Sequence, residues 1–342
     1  MSEIVFRKIL VERFGGPEVL RTVRATLPAP APGYARVKVL AAGVGLTDLM
    51  ARSGDYLLQR RTPFTPGYEL AGEVVDFTTA DTPAPSWLRP GARVAAALTR
   101  MGGYAEYVTL PLWQLVPLPD GLDPHTAAAV PLDQLTALSL LDTHGRLRPG
   151  DTVLIQGASG GVGRAVSALG AARGLRMYGT ASAPGARKAL ARYGVEFIDY
   201  RHEDFEAVLN DREPGGVQAV FDHLGGSSLR KGYRVLAPGG VLVSYAASGR
   251  PGRMVGDTLR AAARVTLLNL RPGRRTALAM VPREIRADHA RYRAALTELL
   301  ALAHTGTTAP QITTAPLTEA AAVHTDLARR ALTGKAVLTT DS

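Results

Sequence analysis

The sequence predicts an α/β protein of two domains, a partly open β-barrel followed by a doubly wound parallel sheet. Three observations carry that expectation. Short alternating segments punctuated by Gly and Pro fill the N-terminal third; from Asp123 onward strand-like and helix-like runs alternate; and the apolar run Val153, Leu154, Ile155 enters a glycine-rich turn, TVLIQGASGGVGR at 152–164. At 342 residues the chain exceeds the commonest size for a single core.

The elements follow in order. Ile4 to Val11 alternates imperfectly and leads into FGGPEVL at 14–20, a turn with a following strand. PAPAPG at 28–33 is a stiff loop, and ARVKVLAAGV after it alternates as a half-buried strand. TPGYELAGEVVDF at 65–77, RPGARVAAAL and GGYAEYVTL at 102–110 repeat the pattern, while PAPSW at 83–87 is a loop without metal-ligand residues. These segments describe the barrel. DPHTAAAVPLDQLTALSLLDTHG then holds two helical pieces interrupted at Pro131. After the glycine turn come helix 163–173, strand 176–181, helix 185–193, strand 197–200, helix 203–210, strand 219–224, helix 227–236 and strand 240–245. Alternation at this spacing argues for parallel strands with right-handed crossovers. RVTLLNL at 264–270 reads as a sixth strand, and Tyr292, Ala295, Leu296, Leu299 and Leu300 mark one apolar helical face. The final QITTAPL, a short helix 318–332 and KAVLT have no second glycine turn and so return to complete the first domain. The domains expected are 1–122 with 286–342, and 123–285.

Composition removes several functions. With no cysteine there are no disulfides, thiolate nucleophiles or sulfur-built zinc sites. No run approaches a membrane span, and the first apolar residues are broken by Glu3, Arg7 and Lys8, so a secretory signal is not expected and the cytoplasm is the default location. The net charge of +10 raises the question of an acidic partner. Its basic residues are overwhelmingly arginine, with lysine only at Lys8, Lys38, Lys188, Lys231 and Lys335, so we read the charge as compositional and do not expect nucleic acid as a partner.

The glycine turn has a chemical use. Glycines let backbone approach a pyrophosphate and a helix pack close to its strand, while the helix N-terminus offers N–H donors. The strand before and helix after it supply the context that a dinucleotide site requires.

FGGPEVL, AAGVGLTDLMARSGDY at 41–56, TPGYELAGEV at 65–74, GASGGVGR, DYRHEDF at 199–205 and GKAVL at 334–338 together resemble the medium-chain dehydrogenases and reductases, in their zinc-free quinone oxidoreductase branch. DLMARSGDY, GTASA and LGGSSLRKGYRVLAPGGVLVSY resemble its vesicle amine transport protein 1 subgroup. The resemblance implies a GroES-like barrel, a Rossmann cofactor domain, a dry cleft between them, and a homodimer formed through the sixth strand. It also implies hydride transfer from NADPH to a quinone or an α,β-unsaturated carbonyl. Where zinc-dependent relatives carry Cys and His, this chain has Gly45 and Tyr68, so that metal site is not expected.

The same resemblance places the candidate residues. Gly157, Ser159, Gly160, Gly161 and Val162 form the phosphate turn. At the end of the second strand, where strict NAD sites carry an acid, stand Thr180, Ala181 and Ser182, followed by Arg187 and Lys188; Tyr200 matches a position that touches the 2′-phosphate. Thr136 matches a threonine near the nicotinamide, and His223, Leu224 and Tyr245 fall where that ring is lined. Asp222 precedes His223, but adjacent strand residues face opposite ways and no nucleophile elbow accompanies them. The remaining histidines, His125, His144, His202, His289, His304 and His324, show no metal spacing and read as surface or local hydrogen-bonding residues. Tyr56 matches a proton donor in some enoyl reductases, with pocket wall as its plainer reading; Asp48 matches an acid of the same motif, with capping as its alternative. Many quinone reductases have Asn at the position of Gly45. The arginines from Arg250 to Arg293 suggest an acidic partner such as the phosphopantetheine arm of an acyl carrier protein, against a plain solvated surface. The competing functions are a tailoring enoyl reductase on a carrier-bound or polyketide substrate, and an NADPH-binding regulatory, lipid- or nucleic-acid-binding protein with little turnover.

Overall fold

The computed structural model describes residues 3–80, 84–182, 185–246 and 252–340. Pro83 of the PAPSW loop and Arg250 at the head of the arginine run lie outside them.

In chain order, β1 (Ile4–Val11) pairs antiparallel along its whole length with β2 (Leu20–Leu27). Then come β3 (Tyr34–Val44), α1 (Leu46–Arg52), β4 (Glu69–Thr78), β5 (Arg93–Ala97), β6 (Tyr107–Pro111) and β7 (Val116–Pro117). Helices α2 (Pro124–Ala128) and α3 (Pro131–Leu138) follow; Pro131 opens α3, as a residue without an N–H can at a first turn. The alternating region runs β8 (Thr152–Gln156), α4 (Gly161–Ala172), β9 (Arg176–Ala181), α5 (Ala186–Ala191), β10 (Val195–Asp199), α6 (Phe205–Arg212), β11 (Val217–Asp222), α7 (Gly226–Arg234) and β12 (Leu236–Ser244). The chain closes with α8 (Met254–Asn269), β13 (Arg275–Leu278), α9 (Val281–Ala287), α10 (His289–His304), β14 (Ile312–Pro316), α11 (Ala320–Ala328) and β15 (Lys335–Thr339).

Two compact units result, 1–135 with 282–342 and 136–281. In the first, the sheet order is β14-β15-β3-β4-β5-β7, with β6 also on β3. β3 can serve several neighbours because its register against β4 shifts twice, between Arg36 and Val37 and between Val39 and Ala41, and such irregularities bend a strand. At the bend Gly72 lies so close to β3 that an added Cβ would sit 2.3 Å from the Lys38 carbonyl oxygen. Val37, Val39, Leu70, Val94, Leu115 and Leu338 fill the core. The first unit reaches Leu135, beyond the sequence boundary at 122/123, because α2 packs on β3, β4 and β5.

In the second unit six parallel strands take the order β10-β9-β8-β11-β12-β13. Crossovers therefore leave β8 and β11 in opposite directions, and ligands of such sheets bind at that switch, beyond the strand ends. The sixth strand is not RVTLLNL. Those residues lie in α8, where the buried positions Ala261, Val265 and Leu268 recur at four and three, a helical spacing that the apolar run conceals; β13 supplies the edge strand instead.

Candidate functional site

The turn after β8 sits at the switch point. Gly157 has φ +64°, a left-handed conformation costly for residues with a Cβ, and a Cβ there would meet the His223 ring at 2.3 Å. At Gly163 a Cβ would lie 2.4 Å from the Gly157 carbonyl oxygen, so α4 packs directly on the turn. Thr180 pins the loop from β9: its Oγ1 accepts from Gly157 N at 3.2 Å and its carbonyl from Ala158 N at 2.9 Å. The helix then starts without a side-chain cap at Gly160, and Gly160 and Gly161 are exposed, so its first amides and positive dipole end face outward. Ser159 and Val162 flank them and are half-buried. This backbone fits a pyrophosphate.

The end of β9 fits a phosphorylated ribose better than a bare one. Thr180 and Ala181 are buried, and Ser182 Oγ donates to the Tyr200 hydroxyl at 2.6 Å, with the Tyr200 ring 47% exposed. Among the described residues at this strand end, 176–182, none is a carboxylate. On α5 the exposed Arg187 stacks its guanidinium 4.6 Å over the Phe197 ring, and Lys188 is exposed beside it. At the end of β11 the fully buried Asp222 accepts from Leu224 N at 3.1 Å and Gly225 N at 2.7 Å, while burial pushes its carboxyl up to about 6. It shapes the turn into α7. His223 lies against the glycine turn at Gly157, its ring tilted against Tyr245 with centroids 5.9 Å apart. Thr136 is buried in α3. Every residue assigned to the cofactor from sequence thus lies in 136–281.

Tyr56 and Asp48 lie in the first unit. Asp48 is completely buried in the first turn of α1: Oδ2 accepts from Gly45 N at 2.8 Å and Oδ1 from Gly67 N at 2.9 Å. It closes the helix start and ties it to the loop before β4, which Gly67 enters with φ +100°. Burial pushes Asp48 up to about 6, against the opposing pull of those amides, Lys335 and the Tyr104 hydroxyl. Tyr104 in turn meets His324 Nε2 at 3.2 Å. His324 is therefore fully buried and bonded across the chain, where its sequence suggested a surface or local role; burial and the nearby Arg52 push it down to about 3 and keep it neutral.

Tyr56 is half-buried on the buried Tyr68, ring centroids 6.1 Å apart and nearly perpendicular. Burial, with Tyr68 and Asp48 adding to it, pushes the Tyr56 phenol well above its ordinary range, so it stays protonated. In the sequence Tyr68 stands out only as the residue replacing a zinc ligand; its pairing with Tyr56 depends on the fold. Gly45 is closely surrounded, since a Cβ there would already touch Leu132 and Thr47 Oγ1 at 3.4 Å, and that Oγ1 is buried with no hydrogen-bond partner among the described residues. Beneath this cluster lies a buried ion group: Lys335 Nζ is 2.6 Å from Glu69 Oε1 and 2.9 Å from Asp133 Oδ2, and Glu69 Oε2 accepts from Leu132 N at 2.8 Å. Among the described residues no cluster of His, Cys, Asp and Glu could hold a metal, and no helix is long and apolar enough to cross a membrane.

Comparison with known proteins agrees with this geometry. Residues 31–120 match the alcohol dehydrogenase GroES-like domain, and 194–338 match a domain described as zinc-binding dehydrogenase. A quinone oxidoreductase of Pseudomonas aeruginosa is 34% identical over 340 residues, covering 97% of this chain and 99% of that protein. The human synaptic vesicle membrane protein VAT-1 homolog is 37% identical over 245 residues, 70% of this chain; the chain spans only 61% of that relative's length. The crystal structure of Escherichia coli quinone oxidoreductase complexed with NADPH superposes with a TM-score of 0.85 at 26% identity, covering 97% of this chain and 99% of that one.

Proposed function

The chain belongs to the quinone oxidoreductase family of medium-chain dehydrogenases and reductases, and from that premise we propose that it is an NADPH-dependent reductase of quinones or α,β-unsaturated carbonyls that works without zinc. The observation carrying this reading is the second strand's end, where hydroxyls and two cations stand in place of an acid. When bound, NADPH supplies the hydride. Gly157, Ser159, Gly160, Gly161 and Val162 hold its pyrophosphate through backbone amides; Thr180, Ser182, Arg187, Lys188 and Tyr200 surround the 2′-phosphate; Thr136, His223, Leu224 and Tyr245 orient the nicotinamide end. Tyr56, packed edge-on against Tyr68, donates a proton from its hydroxyl to the reduced substrate. The parallel at Gly45, which removes a polar side chain usual in quinone reductases, supports a substrate other than the common small quinones. With the arginines of α8 it favours as second reading an enoyl reductase of a carrier-bound substrate. We also propose a homodimer through the edge strand β13, supported by the exposed Leu278 and Met280 beside it.

The test is NADPH oxidation with a panel of quinones, enones and enoyl thioesters, in the parent and in Tyr56→Phe. The expected outcome is turnover preferring NADPH to NADH, with kcat falling about 100-fold or more in Tyr56→Phe at unchanged KM for NADPH. Tight NADPH binding without turnover on any acceptor would instead make it a nucleotide-binding regulator.

A further inference from the structure

Asp257, Arg260, Ala261 and Arg264 are spaced three, four and seven apart and so form a single stripe along α8. That stripe faces the start of α7. With Leu224, Gly226 and Leu229 it lines a cavity of about 350 Å³, within the range of small-molecule sites. Its charge is unbalanced. Arg260 is paired with Asp257, but Arg264 Nη1 donates to the Gly226 carbonyl oxygen at 2.9 Å, a neutral acceptor, and no carboxylate lies within ion-pair distance of it among the described residues. The start of α7 does not add to this charge, because the buried Asp222 carboxyl already accepts from Leu224 N and Gly225 N there; the positive charge of the cavity is that of its arginines. The rest of the lining is apolar: Leu229 on α7 and Ala261 on α8 itself are buried, and Leu224 stands 44% exposed, an apolar surface that an occupant would cover.

We propose that this cavity binds a small amphipathic anion, one carboxylate or phosphate monoester head on an alkyl or acyl tail. The guanidinium of Arg264 holds the head, with Arg260 at its edge, and Leu224, Leu229 and Ala261 hold the tail. The site lies wholly within 136–281 and its occupancy requires no turnover, so it stands or falls apart from the reductase reading. Leu224 is also among the residues placed near the nicotinamide, which makes independence from the nucleotide part of the test.

The full chain is titrated calorimetrically with octanoate, octyl phosphate, octan-1-ol and inorganic phosphate, each with and without saturating NADPH, in the parent, Arg264→Gln and Arg260→Gln; melting curves establish that the variants fold. At least one of the two amphiphiles is expected to bind at a single saturable site, and the tighter of them identifies the head group. Octanol and inorganic phosphate, each lacking one half, should bind at least tenfold more weakly. Arg264→Gln should weaken the amphiphile at least tenfold and Arg260→Gln less, so the second variant remains informative if the first does not fold. Absence of saturable binding by both amphiphiles, equal affinity in the parent and both variants, or displacement by NADPH would overturn the proposal.

Discussion

Replacing Asp48 with Asn separates a structural carboxylate from one that reacts. Its two oxygens accept from Gly45 N and Gly67 N with the group fully buried, so an amide side chain must turn its NH2 toward one of two donors. A buried N–H then loses its acceptor, which costs about 1–3 kcal/mol. Ionisation adds a second, pH-dependent component. Burial raises the folded pKa to about 6 from the ordinary 3.8, so the folded chain binds the proton first. The stabilisation is complete below the unfolded pKa and is lost as pH rises through the folded one. Between pH 7 and pH 5 the parent should gain about 1 kcal/mol that the Asn variant cannot. Urea unfolding followed by tryptophan fluorescence reads the first unit specifically, because both tryptophans, Trp87 and Trp113, lie in it. The variant should be less stable by about 1–3 kcal/mol at pH 7, with the gap about 1 kcal/mol wider at pH 5. A gap that does not widen would refute the ionisation argument, and parent-like stability at pH 7 would refute the anchoring role.

Two further outcomes follow from the same geometry. Lys335→Met leaves Glu69 and Asp133 facing each other in the core without their cation; unfolding by the same fluorescence assay should show a loss of about 3–5 kcal/mol, and a loss below about 1 kcal/mol would contradict the ion group's role. Gly157→Ala forces a Cβ into a left-handed residue and onto His223; NADPH affinity, measured by quenching or enhancement of the dinucleotide's fluorescence, should fall at least tenfold while the tryptophan-reported unit keeps its stability. Equal affinity would mean that the turn does not contact the nucleotide.

The nucleotide half was legible because its signals are local. A glycine turn, the hydroxyls after β9 and the strand–helix alternation are each set by residues close in sequence, and most strands fall within two residues of their expected bounds. RVTLLNL misled because β-branched and apolar residues suit either a strand or a buried helix, and only the spacing of Ala261, Val265 and Leu268 against the sheet decides between them.

The residue types at the sites came from sequence alone: no cysteine, no metal-ligand pair, no acid after the second strand, and a tyrosine in the first-unit motif. Tertiary structure decided what those residues do to one another. Asp48 and Gly67, Tyr104 and His324, Tyr56 and Tyr68, and Lys335 with Glu69 and Asp133 are brought together by strand order and long-range burial, and periodicity does not encode which distant residues share a core. Burial sets their protonation as well, since desolvation depends on the atoms that surround a group rather than on its neighbours in the chain.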